Sequence, residues 1–360
     1  MKNPFATTPG IIVTGAIIGL IAIWLQKLGN PANMGICVAC FERDVAGGLG
    51  LHRAAIVQYL RPEIMGLVLG SLVAAIATRE FKPRGGSAPI VRFVLGMIAA
   101  MGALVFLGCP WRAILRLAGG DGNAILGIAG LATGIWIGTL FFKRGYSLGR
   151  SSSQSIVSGA IFPVVVLGLL LLYLIFPQIA GQPQSGPIFY SVKGPGSQHA
   201  PFIASLGLAF IIGIIAQRSR FCTMGAFRDL FLFRYTHLFL GLAAMFVAAF
   251  IANALTGGLK FGFEGQPVAH SNHLWNYLGM VTAGLAFALA GGCPGRQLFM
   301  AGEGDSDAGI FALGMLVGAA MAHNLGTASS GTGIGTYGIQ ATVIGFVLCL
   351  IIGFVHSRKA

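Results

Sequence analysis

Charge is what this chain most lacks. Asp, Glu, Lys and Arg make up 9% of its 360 residues, against roughly 25% in soluble domains, so water is not its main solvent. Acidic residues are the scarcest, ten against 23 Lys and Arg, for a net charge of +13. The basic residues stand between apolar runs rather than in blocks, which argues against a nucleic-acid footprint and for a positive-inside topology signal. Six cysteines are too few and too scattered for a disulfide scaffold. No small-x-small cleavage site follows the first apolar run, Ile11 to Leu25, so it reads as a membrane helix rather than a signal peptide. Away from its motifs the sequence offers no membrane carboxylate that suggests a proton relay.

Apolar residues, by contrast, make up 55% of the chain. They gather into Ile11 to Leu28, Ile64 to Thr78, Ile90 to Leu107, Ala124 to Phe142 and Ile156 to Phe176, then Pro201 to Ala216, His237 to Leu255, Leu274 to Ala290, Ala308 to Ala322 and Ile339 to Val355. Several fall short of the roughly 20 residues that span a bilayer, which predicts tilt, undercounted ends or shielding by neighbours. The expected fold is an all-α integral membrane protein. Residues 1–176 form a first membrane repeat, 177–199 a Pro/Gly-rich connector and 200–360 a second repeat. Glycine recurs at four-residue spacing in Gly15/Gly19, Gly66/Gly70, Gly134/Gly138 and Gly314/Gly318, a pattern that lets helices approach closely.

Duplication is the strongest internal signal. Cys37 is followed at +6 and +7 by Arg43 and Asp44, and Cys222 at the same offsets by Arg228 and Asp229. Gly108-Cys109-Pro110-Trp111-Arg112 matches Gly292-Cys293-Pro294-Gly295-Arg296, with Asp121 and Asp305 each twelve residues past the cysteine. The two cysteines lie 72 residues apart in the first half and 71 in the second. Five segments per half is an odd number, so the second repeat enters the membrane inverted. Alternate assignment of the connections places 15 of the 23 Lys and Arg, including Lys2, Arg358 and Lys359, on the side of both termini and 8 opposite. The positive-inside rule then puts both termini in the cytoplasm, with Cys37 and Cys109 approaching from outside and Cys222 and Cys293 from inside.

Short re-entrant or broken helices from both faces are the layout in which transporters build midplane sites. In each Gly-Cys-Pro-x-Arg motif glycine permits a turn and Pro110 or Pro294 takes the first helical position, so the cysteine falls at the N-cap. Free N–H groups and the positive helix end then face whatever sits beside the sulfur, which suits an anion. Arg112 and Arg296 add charge along the route, and a thiol, a weak donor and acceptor, can pass a soft atom on without trapping it. Cys40 completes a C-x-x-C with Cys37; a redox pair is open, and metal binding is disfavoured because no second pair matches it. The Arg and Asp residues of the repeats either contact cargo or neutralise one another. Cys349 reads as a packed hydrophobe, and His270 and His273, near Trp275, as interfacial. Gly333-Ile334-Gly335-Thr336-Tyr337-Gly338 spells G-x-G-x-x-G but precedes a membrane span, so no dinucleotide or other cofactor is expected. The neighbouring Ser329-Ser330-Gly331-Thr332 stretch reads as a bent polar segment lining a cavity.

The phrases Met34-Gly35-Ile36-Cys37-Val38-Ala39-Cys40-Phe41, Leu51-His52-Arg53-Ala54-Ala55, Phe106-Leu107-Gly108-Cys109-Pro110-Trp111-Arg112, Leu117-Ala118-Gly119-Gly120-Asp121 and Phe221-Cys222-Thr223-Met224-Gly225 resemble the YeeE/YedE family, and more narrowly its selenium-metabolism branch. The resemblance implies a bacterial inner-membrane importer of hourglass shape, in which cysteines relay a thiosulfate-like anion. By motif position that role falls to Cys109 and Cys293, and then to Cys37 and Cys222. Thiosulfate-carrying relatives generally do not show Gly-Cys-Pro-x-Arg in both halves, which leaves a selenium compound open as cargo. The resemblance also implies a cytosolic TusA/SirA-like sulfur-carrier partner. The rival function is a membrane sulfur or selenium transferase forming a persulfide or selenide on Cys222 or Cys293.

Overall fold

The computed structural model describes residues 3–179 and 186–357; Lys2, Arg358 and Lys359 of the charge distribution and residues 180–185 of the connector lie outside them. The first half runs α1 (Thr8–Lys27), α2 (Val38–Gly48), α3 (Pro62–Ala77), α4 (Pro89–Phe106), α5 (Pro110–Ala118), α6 (Asn123–Lys143) and α7 (Ile156–Ile175). The second half repeats the order as α8 (Phe202–Ser219), α9 (Thr223–Phe233), α10 (His237–Leu255), α11 (His273–Ala290), α12 (Pro294–Gly302), α13 (Ser306–Asn324) and α14 (Gly338–Val355). Among the described residues the only strands are two-residue pieces, Arg84–Gly85 and Ser152–Ser153, paired antiparallel.

The ten long helices coincide with the ten apolar runs. Among the described residues nine are long and apolar enough to cross a membrane, and α3, with 16 residues, is the short one. Where a run looked too short the helix continues on polar residues that find partners. Beyond Ala216, α8 extends through Gln217, which donates to Glu80 at 2.9 Å, and Arg218, 2.8 Å from the same carboxylate.

Polarity is turned inside out relative to a soluble protein. Arg43, Arg61, Arg112 and Arg116 are among the largest fully buried side chains, while Val164, Leu171 and Leu174 of α7 and Val343, Ile344 and Val347 of α14 face outward. Such an apolar exterior is stable against lipid and not against water. The chain is therefore an all-α, multi-pass membrane protein.

Glycine explains how the halves join. Gly15 and Gly19 of α1 sit against the α10 backbone at Gly241 and Met245, and Gly66 and Gly70 of α3 against α8 at Leu206 and Phe210. Gly134 and Gly138 of α6 meet α11 at Val281 and Ala288, and Gly314 and Gly318 of α13 meet α4 at Phe93 and Met97. A side chain at these positions would push the helices apart and forfeit the dispersion contacts that drive association in lipid. All four glycine pairs thus seal a helix of one half to a helix of the other. The pairings are also exchange-related: α1 with α10 answers α8 with α3, and α6 with α11 answers α13 with α4.

Loop contacts define two ends. At one, Asn3 donates to the Arg218 carbonyl, Lys82 N–H to that of Glu303, and Arg84 bridges to Asp305. At the other, Lys27 reaches the Thr256 carbonyl, Arg61 that of Gln198, and Asp121 bridges to Gly262. These groupings are the ones expected from alternate crossings.

Candidate functional site

Each motif cysteine starts a short helix. Cys37, Cys109, Cys222 and Cys293 are the N-caps of α2, α5, α9 and α12, which have 11, 9, 11 and 9 residues. At about 1.5 Å per residue these helices are roughly 13–16 Å long, half the hydrocarbon thickness, so none can span alone. In the Gly-Cys-Pro motifs the break has a local cause. The long helix ends in a left-handed residue, Leu107 (φ 63°) or Gly291 (φ 85°), and the next glycine N–H turns back to the carbonyl of Ala103 or Phe287. Pro110 or Pro294 then restarts the helix where no N–H is needed.

The structure gathers the thiols into two buried groups, one from each half. Cys37 touches both Cys40 and Cys109, and Cys222 touches Cys293. Cys37 Sγ accepts from the Cys40 N–H at 3.4 Å, and Cys222 Sγ from the Gly225 N–H at 3.2 Å. Cys109 lies beside the backbone N–H groups of Arg112 and Ala39, and Cys293 beside those of Arg296 and Thr223. Each Cys-Pro thiol therefore sits where two helix N-termini meet, and both termini present positive potential to it. Cys349 is buried on α14, away from both groups.

Electrostatics differ between the groups. Arg112 is fully buried, and no carboxylate among the described residues pairs with it; it donates to the carbonyls of Leu107, Asn33 and Val268, with Nη1 3.6 Å from Cys40 Sγ. A guanidinium desolvated in this way needs an anion, and the carbonyls only partly supply one. Arg296 instead reaches Glu303 at 3.3 Å, a carboxylate shared with Arg84 and Arg220. Arg218, four residues before Cys222, already belongs to the charged cluster at the termini end. The Cys222/Cys293 group therefore lies within about 14 Å of that cluster.

The repeated Arg and Asp residues mostly neutralise one another, but not in the order their spacing suggests. Asp44 is held by Arg43 at 2.7 Å and by Arg61 at 2.7 Å, and Arg228 pairs with Asp229 at 2.8 Å. Asp121 takes Arg116 at 2.6 Å rather than Arg112, and Asp305 takes Arg84, from the other half, at 2.7 Å.

Between the thiol groups stands Trp111. Its ring packs on Phe221, next to Cys222, and on Phe299 of α12, with centroids 5.8 and 5.9 Å away, and a side chain at Gly295 would collide with it. Its buried Nε1–H has no hydrogen-bond partner among the described residues. Sequence reasoning passed over Trp111, although a tryptophan opposite a glycine in otherwise matching motifs was the signal. Glu63 was missed too. At the start of α3 it is fully buried and accepts from Asn30 at 2.7 Å and Ser205 at 3.0 Å. It is a membrane carboxylate outside the motifs, and a lone Glu opening an apolar run after Arg61-Pro62 announced it. His270 is not interfacial but buried: its Nδ1 accepts the Asn272 N–H, leaving Nε2–H to donate to the Val105 carbonyl at 2.8 Å.

Fold and site together define a multi-pass helical membrane protein whose interior holds paired thiols at converging helix ends. Comparison with known proteins narrows this. Residues 218–354 match the family described as Sulphur transport. A stretch of 106 residues is 33% identical to the thiosulfate transporter TsuA of Spirochaeta thermophila, covering 29% of this chain and 32% of that protein. The match thus spans about a third of the curated relative's length. Over these stretches the chain is similar to sulphur-transport membrane proteins.

Proposed function

We propose that the protein carries a small sulfur-containing anion inward across the bacterial inner membrane, past Cys37, Cys40 and Cys109 and then past Cys222 and Cys293. The observation that carries this reading is the pair of buried thiol groups, one from each half, each at the junction of two helix N-termini. Helix ends and the unpaired Arg112 attract an anion, while thiols hold its soft atom weakly enough for release. The likeness to a thiosulfate transporter supports an anion of that class. A selenium analogue such as selenosulfate is the alternative cargo, since its soft atom would meet the same sulfurs.

In this reading residues 1–176 and 200–360 are inverted repeats joined by the 177–199 connector, both termini are cytoplasmic, and Trp111 closes the passage until cargo displaces it. A TusA/SirA-like carrier collecting cargo inside would meet α9, whose end exposes Phe233 and Tyr235. Uptake of labelled thiosulfate, selenite or selenosulfate into proteoliposomes tests the proposal. Saturable uptake that Cys109→Ala and Cys293→Ala each abolish is expected; unchanged uptake in both variants removes the thiol route. A stable persulfide on one cysteine after turnover, seen by mass spectrometry, would convert the reading to a sulfurtransferase.

A further inference from the structure

Above the outer thiol group lies a cavity of about 380 Å³, lined by Arg43, Leu107, Val268, His323, Ser329 and Ser330. Its floor adjoins the thiols: Leu107 is two residues before Cys109, and its carbonyl is held by the same Arg112 whose Nη1 approaches Cys40. Space for roughly a dozen waters suffices for a hydrated inorganic anion.

The lining holds polar atoms with nothing to bind. His323 Nε2 and Ser329 Oγ are both buried without a hydrogen-bond partner among the described residues, and Ser329 is 5% exposed. Buried polar groups are satisfied in nearly all folds, so two orphans on one cavity mark a place where something else binds. Both are also held in position. Ser329 N–H donates to the Leu104 carbonyl at 3.2 Å, anchoring its loop on α4. The His323 ring lies against His52, centroids 4.6 Å apart; His52 accepts the Ala54 N–H on Nδ1 and so directs Nε2–H to the Arg43 carbonyl at 3.0 Å. Arg43 and Arg61 share the single carboxylate of Asp44, so that trio carries one positive charge beside the cavity.

We infer that this cavity is a capture site for a small inorganic oxyanion, with Ser329 Oγ–H and His323 Nε2–H donating to its oxygens while its soft atom faces Cys109 below. The inference rests on the proposed transport function for the order of events, but the site itself is a binding claim. It deepens that reading by giving the oxygens of the cargo a separate point of recognition from the sulfur or selenium atom.

Equilibrium binding of radiolabelled thiosulfate and selenite to the full-length protein in detergent tests it, with thermal melting as a check on folding. Ser329→Ala and His323→Ala are each expected to weaken binding roughly tenfold, as befits one lost hydrogen bond to a charged ligand. Ser329→Thr, which keeps the hydroxyl, should retain it. Cys109→Ser is expected to lose uptake while weakening binding less than either oxygen-donor variant, which separates capture from passage. Wild-type affinity in the folded Ser329→Ala/His323→Ala double variant would overturn the site while leaving transport standing. Binding that these variants abolish, in a protein without uptake, would uphold the site and remove the transport reading.

Discussion

The two Gly-Cys-Pro-x-Arg motifs share a backbone and differ in how they handle charge. In the first, α5 is buried, Arg112 has no carboxylate partner among the described residues, and Arg116 closes on Asp121 within the motif over the Phe106 ring, 4.1 Å from its centroid. In the second, Met300 stands where Arg116 does, Asp305 must reach Arg84 in the other half, and Arg296 is neutralised by Glu303. The helix ends that face the thiols are alike in the two motifs, while the surrounding ions differ. The first motif keeps a positive charge deep in the protein; the second adjoins a partly exposed ionic cluster. In the proposed transport reading an anion is drawn strongly at the first motif and released easily at the second.

Exchanging features between the motifs breaks this comparison. Arg116→Met, which copies the second motif, strands Asp121 and is expected to cost about 3–5 kcal/mol, as for other broken buried pairs. Thermal unfolding in detergent would show it, and Arg116→Met/Asp121→Asn should regain most of the loss. A next effect falls on uptake. Arg112→Met should reduce thiosulfate uptake at least tenfold, whereas Arg296→Met, removing a charge already paired, should change it only a few-fold; flux assays in proteoliposomes decide, and equal effects would erase the electrostatic asymmetry. Trp111→Phe keeps the plug and removes an N–H that is free to donate to cargo passing it, so a loss of about 0.5–1.5 kcal/mol or roughly 2–10-fold in apparent KM is expected. Smallest should be Cys40→Ala, because the second motif works with Gly225 in that place; uptake within about twofold of wild type is expected.

Hydrophobic runs and turn chemistry carried far in the sequence. Ten apolar segments became the ten long helices, and Pro110 and Pro294 put Cys109 and Cys293 at N-caps because proline restarts a helix where N–H groups are unneeded. The four glycine pairs announced close packing, though not that each would bind the opposite half. Ion pairing was the least legible layer. Spacing along a helix shows which residues share a face, yet Arg84 meets Asp305 only because the loop after α3 folds beside the start of α13. His270 misled for a similar reason: a turn closed by the Asn272 N–H carries it inward to Val105. Trp111 and Glu63 were visible as residues, but their surroundings come from remote elements that periodicity does not specify.

The central claim is that the cargo meets both thiol groups. Crystals or grids of the protein saturated with a selenium-containing anion, examined for anomalous or difference density, test it most directly. The account predicts selenium beside Cys37 and Cys109, and a second position beside Cys222 and Cys293 when Trp111 is replaced by a smaller side chain. Selenium bound elsewhere, with both groups vacant under conditions that support saturated uptake, would contradict it.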